Sequence, residues 1–258
     1  MIDVDGLLAK GLASRCSVGL GLANPQFIML QRRLESMKCG VEIIPFESEA
    51  RLVTSLSEGR VDAAVRGTMS SSRVLKELKS AFSLKEIMRA AVLEDSAGKK
   101  FLLAPVGIDE GRDARSRINL AKATADYFSA AGWTIRVGVL SKGRLGDASR
   151  GKEIRESLRD GERVVAELRT AGIVSEHYEI LIEDAVSRCD LVLAPDGVSG
   201  NLVFRTLHFV GSGKAFGAPV VNMDRVFVDT SRAKADFTDS VLLAAGLAEV
   251  RKRRGRRP

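Results

Sequence analysis

The first residues that could carry chemistry lie in a polar turn close to position 200. An apolar run, Leu191–Ala194, ends in Pro-Asp-Gly, and a Ser-Gly-Asn tripeptide then opens an amphipathic segment. Glycines let the backbone turn sharply, and Ser199 or Asn201 would cap a helix whose free N–H groups favour an anion. An ordinary capped turn gives the same pattern. The candidate ligands for a phosphate or carboxylate are Asp196, Ser199, Gly200 and Asn201.

A second polar turn separates the strand-like run Val226–Val228 from the last helical segment. It reads Asp-Thr-Ser-Arg over residues 229–232, and Asp239 follows at the start of the helix. The planar guanidinium of Arg232 suits a phosphoryl or carboxylate group, and Ser231 could hold or activate a nucleophile. The structural alternative is a capped helix start with a solvated arginine.

A third turn, Arg66–Arg73, combines one glycine with hydroxyl and cationic side chains, and it follows the strand-like run Val61–Val65. As the entry to a helix this composition favours phosphate binding, although serine-rich loops are also common without a ligand. The candidate ligands here are Gly67, Thr68, Ser70, Ser71, Ser72, Arg73 and Lys76.

The fourth turn, Leu140–Lys152, carries glycines and cations between a clear strand and a long amphipathic helix. Ser141 and Arg144 are its candidate ligands for the phosphates of a nucleotide-like molecule, and a flexible surface loop is the alternative.

Other motifs are weaker. Gly19-Leu20-Gly21 resembles the start of a dinucleotide-binding turn but lacks the third glycine at the proper spacing. The stretch Asp109–Asp113 could coordinate a metal, and a solvated charged loop is the preferred interpretation. The two histidines, His177 and His208, have no neighbour in sequence that completes an acid–base pair, and with three scattered cysteines they form no zinc pattern. We therefore expect no metal and no covalently bound cofactor.

Strand-like and helical patterns alternate along the chain, which predicts an α/β fold with a mainly parallel sheet and right-handed crossovers. The predicted strands lie near residues 17–20, 41–46, 61–65, 89–93, 101–106, 134–140, 178–182, 191–194, 220–222 and 226–228. The predicted helices lie near residues 4–13, 25–37, 47–57, 114–131, 149–171, 201–211 and 236–252.

Two seams predict a two-lobed organisation. The polar, glycine-containing stretch at residues 94–100 and a second crossing near residues 222–225 give a first lobe of residues 1–97 plus 223–250 and a second lobe of residues 98–222. A basic segment, 251–258, is expected to be a disordered tail. It carries six of the seven net positive charges, so the body has only 7 − 6 = +1. Contact of the chain with nucleic acid is expected, if at all, only through this segment.

The remaining bulk properties limit the class of protein. Apolar residues make up 45% of 258 residues, which is enough for a full core. An odd, sparse set of cysteines points to the reducing cytoplasm, and no apolar run approaches the roughly 20 residues that span a bilayer. We expect a cytoplasmic protein without a membrane segment.

Taken in order, these pieces resemble the phosphate acetyltransferase and phosphate butyryltransferase family. The third turn resembles its Gly- and Ser/Thr-rich loop, and the fourth turn with the helix after it resembles its central strand–loop–helix. Ile182–Ala185, the Pro195-Asp196…Ser199-Gly200-Asn201…Arg205 series and Ser231-Arg232…Asp239 resemble three further family elements. The resemblance covers roughly residues 60–250.

The resemblance implies an isopropylmalate dehydrogenase-like fold, a two-lobed αβα sandwich with a cleft between the lobes. It also implies transfer of an acyl group between coenzyme A and phosphate without metal or nicotinamide, and we expect a homodimer. Arg232 would bind phosphate and stabilise transition-state charge, Asp239 would orient or deprotonate the thiol, and Ser231 would assist. The loop from Gly67 would hold phosphate.

A closer likeness is to the short methanogen branch MtxX, which is labelled a methyltransferase subunit tied to methanogenesis. The chain has no cobalamin-type Asp-x-His-x-x-Gly motif and no glycine-rich adenosylmethionine loop after its first strand. The leading hypothesis is an acyltransferase-like protein of this branch that binds phosphate or a coenzyme A-like anion. A non-catalytic subunit of a methyltransferase system is the alternative, with a metal-dependent dehydrogenase of the same fold as a third.

Overall fold

A computed structural model describes residues 2–255 and divides the chain into two compact units. Of the described residues, the terminal unit contains 3–87 and 216–255, so it is built from two separate parts of the chain. The central unit contains residues 88–215 together with Ile2.

Strands and helices alternate through both units. In chain order they are α1 (Val4–Ala13), β1 (Ser17–Leu20), α2 (Asn24–Ser36), β2 (Glu42–Pro45), α3 (Glu49–Ser57), β3 (Ala63–Val65), α4 (Ser71–Ala81), β4 (Ala91–Glu94), β5 (Lys100–Ala104), α5 (Ala114–Ser129), β6 (Val137–Leu140), α6 (Lys152–Thr170), β7 (Ser175–Glu179), α7 (Ile182–Arg188), β8 (Leu191–Leu193), α8 (Gly197–Phe209), β9 (Lys214–Pro219), β10 (Val226–Asp229) and α9 (Thr238–Gly255).

The strands of the terminal unit lie in the order β2-β1-β3-β10-β9. All of these neighbours are parallel except β10 and β9, which are antiparallel. Leu20 and Val228 both pair with Val65, so the carboxyl ends of β1, β3 and β10 lie side by side. The loops after these three strands therefore begin at one edge of the sheet.

Apolar side chains of α3, α4 and β10 pack together in the core of the terminal unit. Leu52, Leu56, Val74, Leu78 and Phe227 are fully buried members of one cluster. Burial of each such side chain contributes about 1.5–3 kcal/mol, so this cluster fixes both helices against the sheet. The N-terminus of α4 is thereby held beside the edge at which β3 ends.

The central unit has the strand order β4-β5-β8-β6-β7. The first two strands form an antiparallel hairpin, and the remaining neighbours are parallel. Strands β5, β6 and β8 are almost entirely buried, as expected for a sheet covered by helices.

The predicted α/β class with mainly parallel strands is confirmed, but several element assignments were wrong. A strand predicted at residues 178–182 lies instead at 175–179, and α7 begins at Ile182. Strand β7 lies at the end of the strand order and most of its residues are polar, which hides its strand pattern. The strand predicted at 220–222 lies upstream at Lys214–Pro219, where Gly217 interrupts the apolar pattern. Helix α4 was absent from the predicted helices.

The last helix continues into the basic segment. Residues 251–255 are helical, contrary to the expected disordered tail, and residues 256–258 lie outside the described part of the chain. The Lys252 ammonium lies 2.7 Å from the Asp62 carboxylate, and Arg251 donates to the Met223 carbonyl at 3.1 Å. Two cationic side chains of the basic segment therefore contact residues of the terminal unit.

Candidate functional site

A buried ion pair joins two loops of the terminal unit that contribute to the candidate site. Arg66 directly follows β3 and Asp229 ends the adjacent parallel strand β10, and their side chains are almost fully buried and hydrogen-bonded to each other. The Arg66 guanidinium also donates to the carbonyls of Met69, at 2.6 Å, and Thr230. Because the Arg66 guanidinium donates hydrogen bonds to both loops, the turn after β3 and the turn after β10 are fixed relative to each other.

Two glycines let the loops after β1 and β3 touch. Gly67 has φ +63°, and a Cβ on it would lie 2.2 Å from the Gly21 carbonyl oxygen. That same oxygen accepts a hydrogen bond of 2.9 Å from the Thr68 N–H. Gly21 is thus explained by packing against this turn rather than by a dinucleotide, and Gly67 shapes the loop.

A cavity of about 580 Å³ opens above these loops. It brings together four of the residues that the sequence analysis singled out in two distant segments, namely Thr68, Ser70, Arg73 and Arg232. The rest of its wall comes from Gly21, Leu22, Ala23, Asn24, Phe46, Glu47, Glu49 and Met69.

Helix termini make the cavity suitable for an anion. Helices α2 and α4 both begin at its wall, with Ala23 and Ser70 as their N-caps. Neither N-cap side chain accepts a hydrogen bond from its helix, and neither first turn contains an acidic residue. Their first N–H groups and the positive ends of their dipoles therefore favour negative charge in the cavity.

The two arginines of the wall have different surroundings. Arg73 lies 3.1 Å from the Glu49 carboxylate, but its side chain remains 74% exposed. Arg232 is exposed and lies in the turn after β10. Both guanidinium groups can therefore turn toward a ligand, although Glu49 competes for Arg73.

The segment after Arg232 contains a half-buried lysine that sequence reasoning missed. The Lys234 ammonium donates to the Ser240 hydroxyl at 2.9 Å, and burial lowers the pKa of Lys234 to about 8 despite the nearby carboxylates of Asp239 and Asp236. The Ser231 hydroxyl accepts from the Ala233 N–H at 3.3 Å. The only sequence signal for Lys234 was its position between Ser231 and Asp239. A single lysine in a polar turn forms no pattern that would reveal its burial.

The remaining predicted ligands of the terminal unit lie on or beside α4 and α9. Ser71 is the first residue of α4, and the Ser72 hydroxyl lies 3.2 Å from that of Ser70. Lys76 is exposed one turn further along, and Asp239 lies in the first turn of α9. None of these four is among the residues that line the cavity.

In the central unit, the fourth turn is held by its own polar contacts. Ser141 is buried, and its hydroxyl lies 2.9 Å from the Ser157 carbonyl and 2.7 Å from the His177 Nε2 atom. The Lys142 ammonium lies 2.6 Å from Glu153 and 3.0 Å from Asp196. Arg144 is exposed.

The N-terminus of α8 is closed by a carboxylate. The helix begins at Gly197, not at Asn201, and its N-cap is Asp196 rather than the predicted Ser199 or Asn201. The Asp196 carboxylate accepts from the Ser199 N–H at 2.8 Å. Burial opposes its ionisation, but that hydrogen bond and the Lys142 ammonium together hold its pKa below the ordinary value. A negative charge already occupies the position where an anion was expected.

Packing accounts for the other polar and small residues of this turn. The Asn201 amide donates to the Val106 carbonyl at 2.9 Å. A Cβ on Gly197 or Gly200 would lie within 2 Å of the carbonyl oxygens of Gly107 and Pro105, respectively. These glycines therefore allow α8 to pack closely on the loop after β5.

The charged loop after β5 is not solvated at its centre, contrary to the sequence interpretation. Glu110 is buried and accepts from Arg89 at 2.6 Å, and its second oxygen accepts from the N–H groups of Val106 and Gly107. Burial raises the pKa of Glu110 in spite of the Arg89 guanidinium. Within residues 2–255, no group of three or more His, Cys, Asp or Glu side chains is arranged to hold a metal ion.

Sequence comparison places the chain among methanogen proteins. It is 41% identical to a Methanosarcina mazei protein, provisionally named methyltransferase mtx subunit X, over 271 aligned positions that cover 97% of each chain. The Methanosarcina barkeri protein of the same name is 41% identical over 91% of this chain and 87% of its own. The chain belongs to the mtx subunit X family. An uncharacterised methyltransferase of Methanopyrus kandleri is 45% identical over 76% of this chain and 79% of its own.

Structural comparison shows which fold the mtx subunit X family shares. A branched-chain phosphotransacylase of Enterococcus faecalis matches with a TM-score of 0.70 and 17% identity, covering 92% of this chain and 99% of its own. A phosphotransacetylase of Streptococcus pyogenes has a TM-score of 0.70 at 12% identity, with 95% and 97% covered. A 4-hydroxythreonine-4-phosphate dehydrogenase of Burkholderia phymatum has a TM-score of 0.58 at 13% identity, with 90% and 98% covered. These likenesses confirm the predicted fold and the resemblance on which it rested.

No protein-family model matches the chain. Of the helices in the described residues, none is both long and apolar enough to cross a bilayer.

Proposed function

We propose that this chain is a phosphate acyltransferase-like transferase that binds a phosphate-bearing anion in the terminal-unit cavity. One observation carries the proposal. Thr68, Ser70 and Arg73, which follow β3, line the same cavity as Arg232, which follows β10. Hydroxyl groups, guanidinium groups and free helix N–H groups are the donors that proteins use for phosphate.

Each group has a role that fits its position. The Thr68 and Ser70 hydroxyls and the first N–H groups of α4 would hold the phosphate oxygens, and Arg73 would leave Glu49 to join them. Arg232 would neutralise charge that develops on the reacting phosphoryl or acyl oxygen, which is where a fixed cation lowers the barrier most. Asp239 and Ser231 would serve the thiol, as the family resemblance implies.

The size of the cavity supports a ligand larger than inorganic phosphate. A volume of about 580 Å³ lies within the range of about 300–1,000 Å³ for sites of small organic ligands. Apolar wall residues, including Phe46 and Met69, would contact the non-phosphate part of such a molecule. A coenzyme A-like phosphoester satisfies both requirements.

We propose that the protein acts in the cytoplasm, since its three cysteines are free thiols, and that it acts as a homodimer.

Calorimetric titration with phosphate, acetyl phosphate and coenzyme A tests the ligand class. We expect at least one of the three to bind the wild-type chain, and Arg232→Ala to weaken binding about tenfold or more because a charge-assisted hydrogen bond contributes about 1.5–3 kcal/mol. The matched control is Arg60→Ala, since Arg60 is an exposed arginine of the same unit paired with Glu58 outside the cavity. Absence of binding by all three ligands to well-folded protein would overturn the proposal.

Acyl transfer from acetyl phosphate to coenzyme A tests the reaction itself. We expect turnover by the wild-type chain and by Arg60→Ala, and its loss in Arg232→Ala with the far-UV circular dichroism unchanged. Binding without turnover would leave the ligand class standing but reject the acyltransferase reaction.

The family membership favours a second function. The Methanosarcina relatives are named as a subunit of a methyltransferase, so this chain could serve as a non-catalytic subunit of such a system. Under this alternative the cavity would bind its anion without turnover, and Arg232→Ala would change assembly with partner subunits rather than a rate. Size-exclusion chromatography of the native complex would show that difference.

A further inference from the structure

A second cavity lies in the central unit, at the sheet edge opposite to the fourth polar turn. Strands β6 and β7 are parallel, and the polar turn leaves the carboxyl end of β6. The groove of about 430 Å³ is lined instead by residues that precede these strands, with Arg136 before β6 and Ile173 and Val174 before β7. Active sites of parallel α/β sheets lie at the carboxyl ends of the strands, so this groove belongs to a different site.

Two arginines at the groove lack carboxylate partners. Arg136 makes one side-chain hydrogen bond, of 3.4 Å to the Arg188 carbonyl, and the Arg169 Nε donates to the Ser175 carbonyl at 2.9 Å. Across residues 2–255, neither guanidinium lies within salt-bridge distance of an Asp or Glu side chain. Arg163, an exposed arginine of the same unit, has such a partner in Glu167. Each groove arginine therefore keeps donors for an external anion.

The rest of the groove wall includes two apolar side chains and one acidic side chain. Val174 is 59% exposed although it is a β-branched apolar residue, and Ile173 lies beside it. The carboxylate of Glu176 accepts from the Tyr178 hydroxyl at 2.7 Å, which engages one of its oxygens. The groove thus presents an apolar surface next to two cations.

We propose that this groove binds a small amphipathic anion, in which one phosphate or carboxylate group is joined to an apolar body. The anionic group would bridge the Arg136 and Arg169 guanidinium groups, and the apolar body would cover Ile173 and Val174. Planar forks of donors match carboxylate and phosphate oxygens, and burial of the apolar wall adds about 25 cal/mol per Å². The site is independent of the anion site proposed for the terminal unit.

Titration calorimetry with phenyl phosphate tests this site, and the Arg232→Ala chain is used because binding in the terminal-unit cavity should be weakened in it. We expect one phenyl phosphate per chain to remain bound, more tightly than inorganic phosphate. Arg136→Met with Arg169→Met should weaken this binding tenfold or more. Val174→Asp, which keeps both arginines but adds a carboxylate to the wall, should weaken it as well.

The control is Arg163→Met, which removes one positive charge from an exposed position of α6 outside the groove and should leave the affinity unchanged. Circular dichroism establishes that each variant is folded. Failure of phenyl phosphate to bind the Arg232→Ala chain would overturn the proposal. The proposal would also be overturned if Arg163→Met, the double arginine variant and Val174→Asp all bound phenyl phosphate with equal affinity. Neither result would bear on the terminal-unit site.

Discussion

Arg66 and Asp229 show at the scale of single residues how the terminal-unit cavity is held open. Both side chains are almost completely buried, and Arg66 reaches the carbonyls of two loops beyond its ion pair. Burying two charges costs several kcal/mol per ion, which their attraction and extra hydrogen bonds must offset. The pair is therefore a device for positioning loops rather than a net source of stability.

Replacing one partner of this pair should be costly. In Asp229→Asn the Arg66 guanidinium stays buried without its counter-charge, so we expect a loss of about 3–5 kcal/mol in the free energy of unfolding. Urea denaturation measures this loss. The control is Glu58→Gln, which breaks the exposed Arg60–Glu58 pair and should cost less than about 1 kcal/mol. Equal losses in the two variants would contradict a positioning role.

Lys234 gives the terminal unit a pH dependence in the alkaline range. Burial lowers its pKa to about 8 in the folded state, against 10.5 for an ordinary lysine. Between these values the unfolded chain holds a proton that the folded chain has released, so the free energy of unfolding rises with pH. Below pH 8 the buried charge is present in the folded state and its penalty is complete.

The variant Lys234→Met should remove this dependence. We expect wild-type protein to gain roughly 2 kcal/mol relative to the variant between pH 7 and pH 9.5, since one pKa unit corresponds to about 1.4 kcal/mol. Urea denaturation of both chains at the two pH values gives the difference, in which the titration of other groups cancels. Parallel pH profiles would show that Lys234 keeps its ordinary pKa.

At the scale of elements, α4 and α8 are preceded by similar polar turns but are capped differently at their N-termini. Helix α4 begins with two serines after its N-cap Ser70, whose side chain accepts no hydrogen bond from the helix. Helix α8 begins after Asp196, whose carboxylate caps it and is paired with Lys142. The sequence of a short polar turn does not distinguish these two cases. The difference depends on whether a carboxylate of the turn accepts a hydrogen bond from the first N–H groups of the helix.

Loss of the α8 cap is measurable. Asp196→Ala should cost about 1 kcal/mol in the free energy of unfolding at pH 7, as for other N-cap aspartates. Since the pKa of Asp196 is depressed, its contribution is complete above the ordinary pKa and disappears as pH falls through the lower folded-state value. Stability of the variant and of wild type should therefore converge in acid. Asp109→Ala, in an exposed position, is the control and should change stability by less than about 0.5 kcal/mol.

Sequence patterns predicted the alternation of strands and helices, because burial of β1, β3, β6, β8 and β10 leaves a strong apolar signal. They also singled out Thr68, Ser70, Arg73 and Arg232, which line one cavity. They could not separate these from Ser141 and Asn201, whose polar atoms contact other parts of the protein. Such contacts join residues far apart in the chain, and no local pattern reports them.

The chain topology has consequences for the whole molecule. The terminal unit takes β10 from the last part of the chain and inserts it between β3 and β9. Helix α9 then packs against α1, β3 and β10. Residues 3–87 without this part would have an unpaired edge at β3, and their cavity would lack Arg232. The central unit, in contrast, is nearly continuous in sequence, and its five strands pair with one another.

Expression of separate segments tests this difference. Residues 88–215 should fold alone, with cooperative thermal unfolding followed by circular dichroism, because every pairing of β4-β5-β8-β6-β7 lies inside the segment. Residues 3–87 should remain unfolded, because an exposed strand edge and an uncovered face of α1 cannot be stabilised by local structure. Addition of residues 216–255 through a flexible linker should restore cooperative unfolding to the terminal segment. A folded 3–87 segment would mean that β10 and α9 are additions to the terminal unit rather than parts of its core.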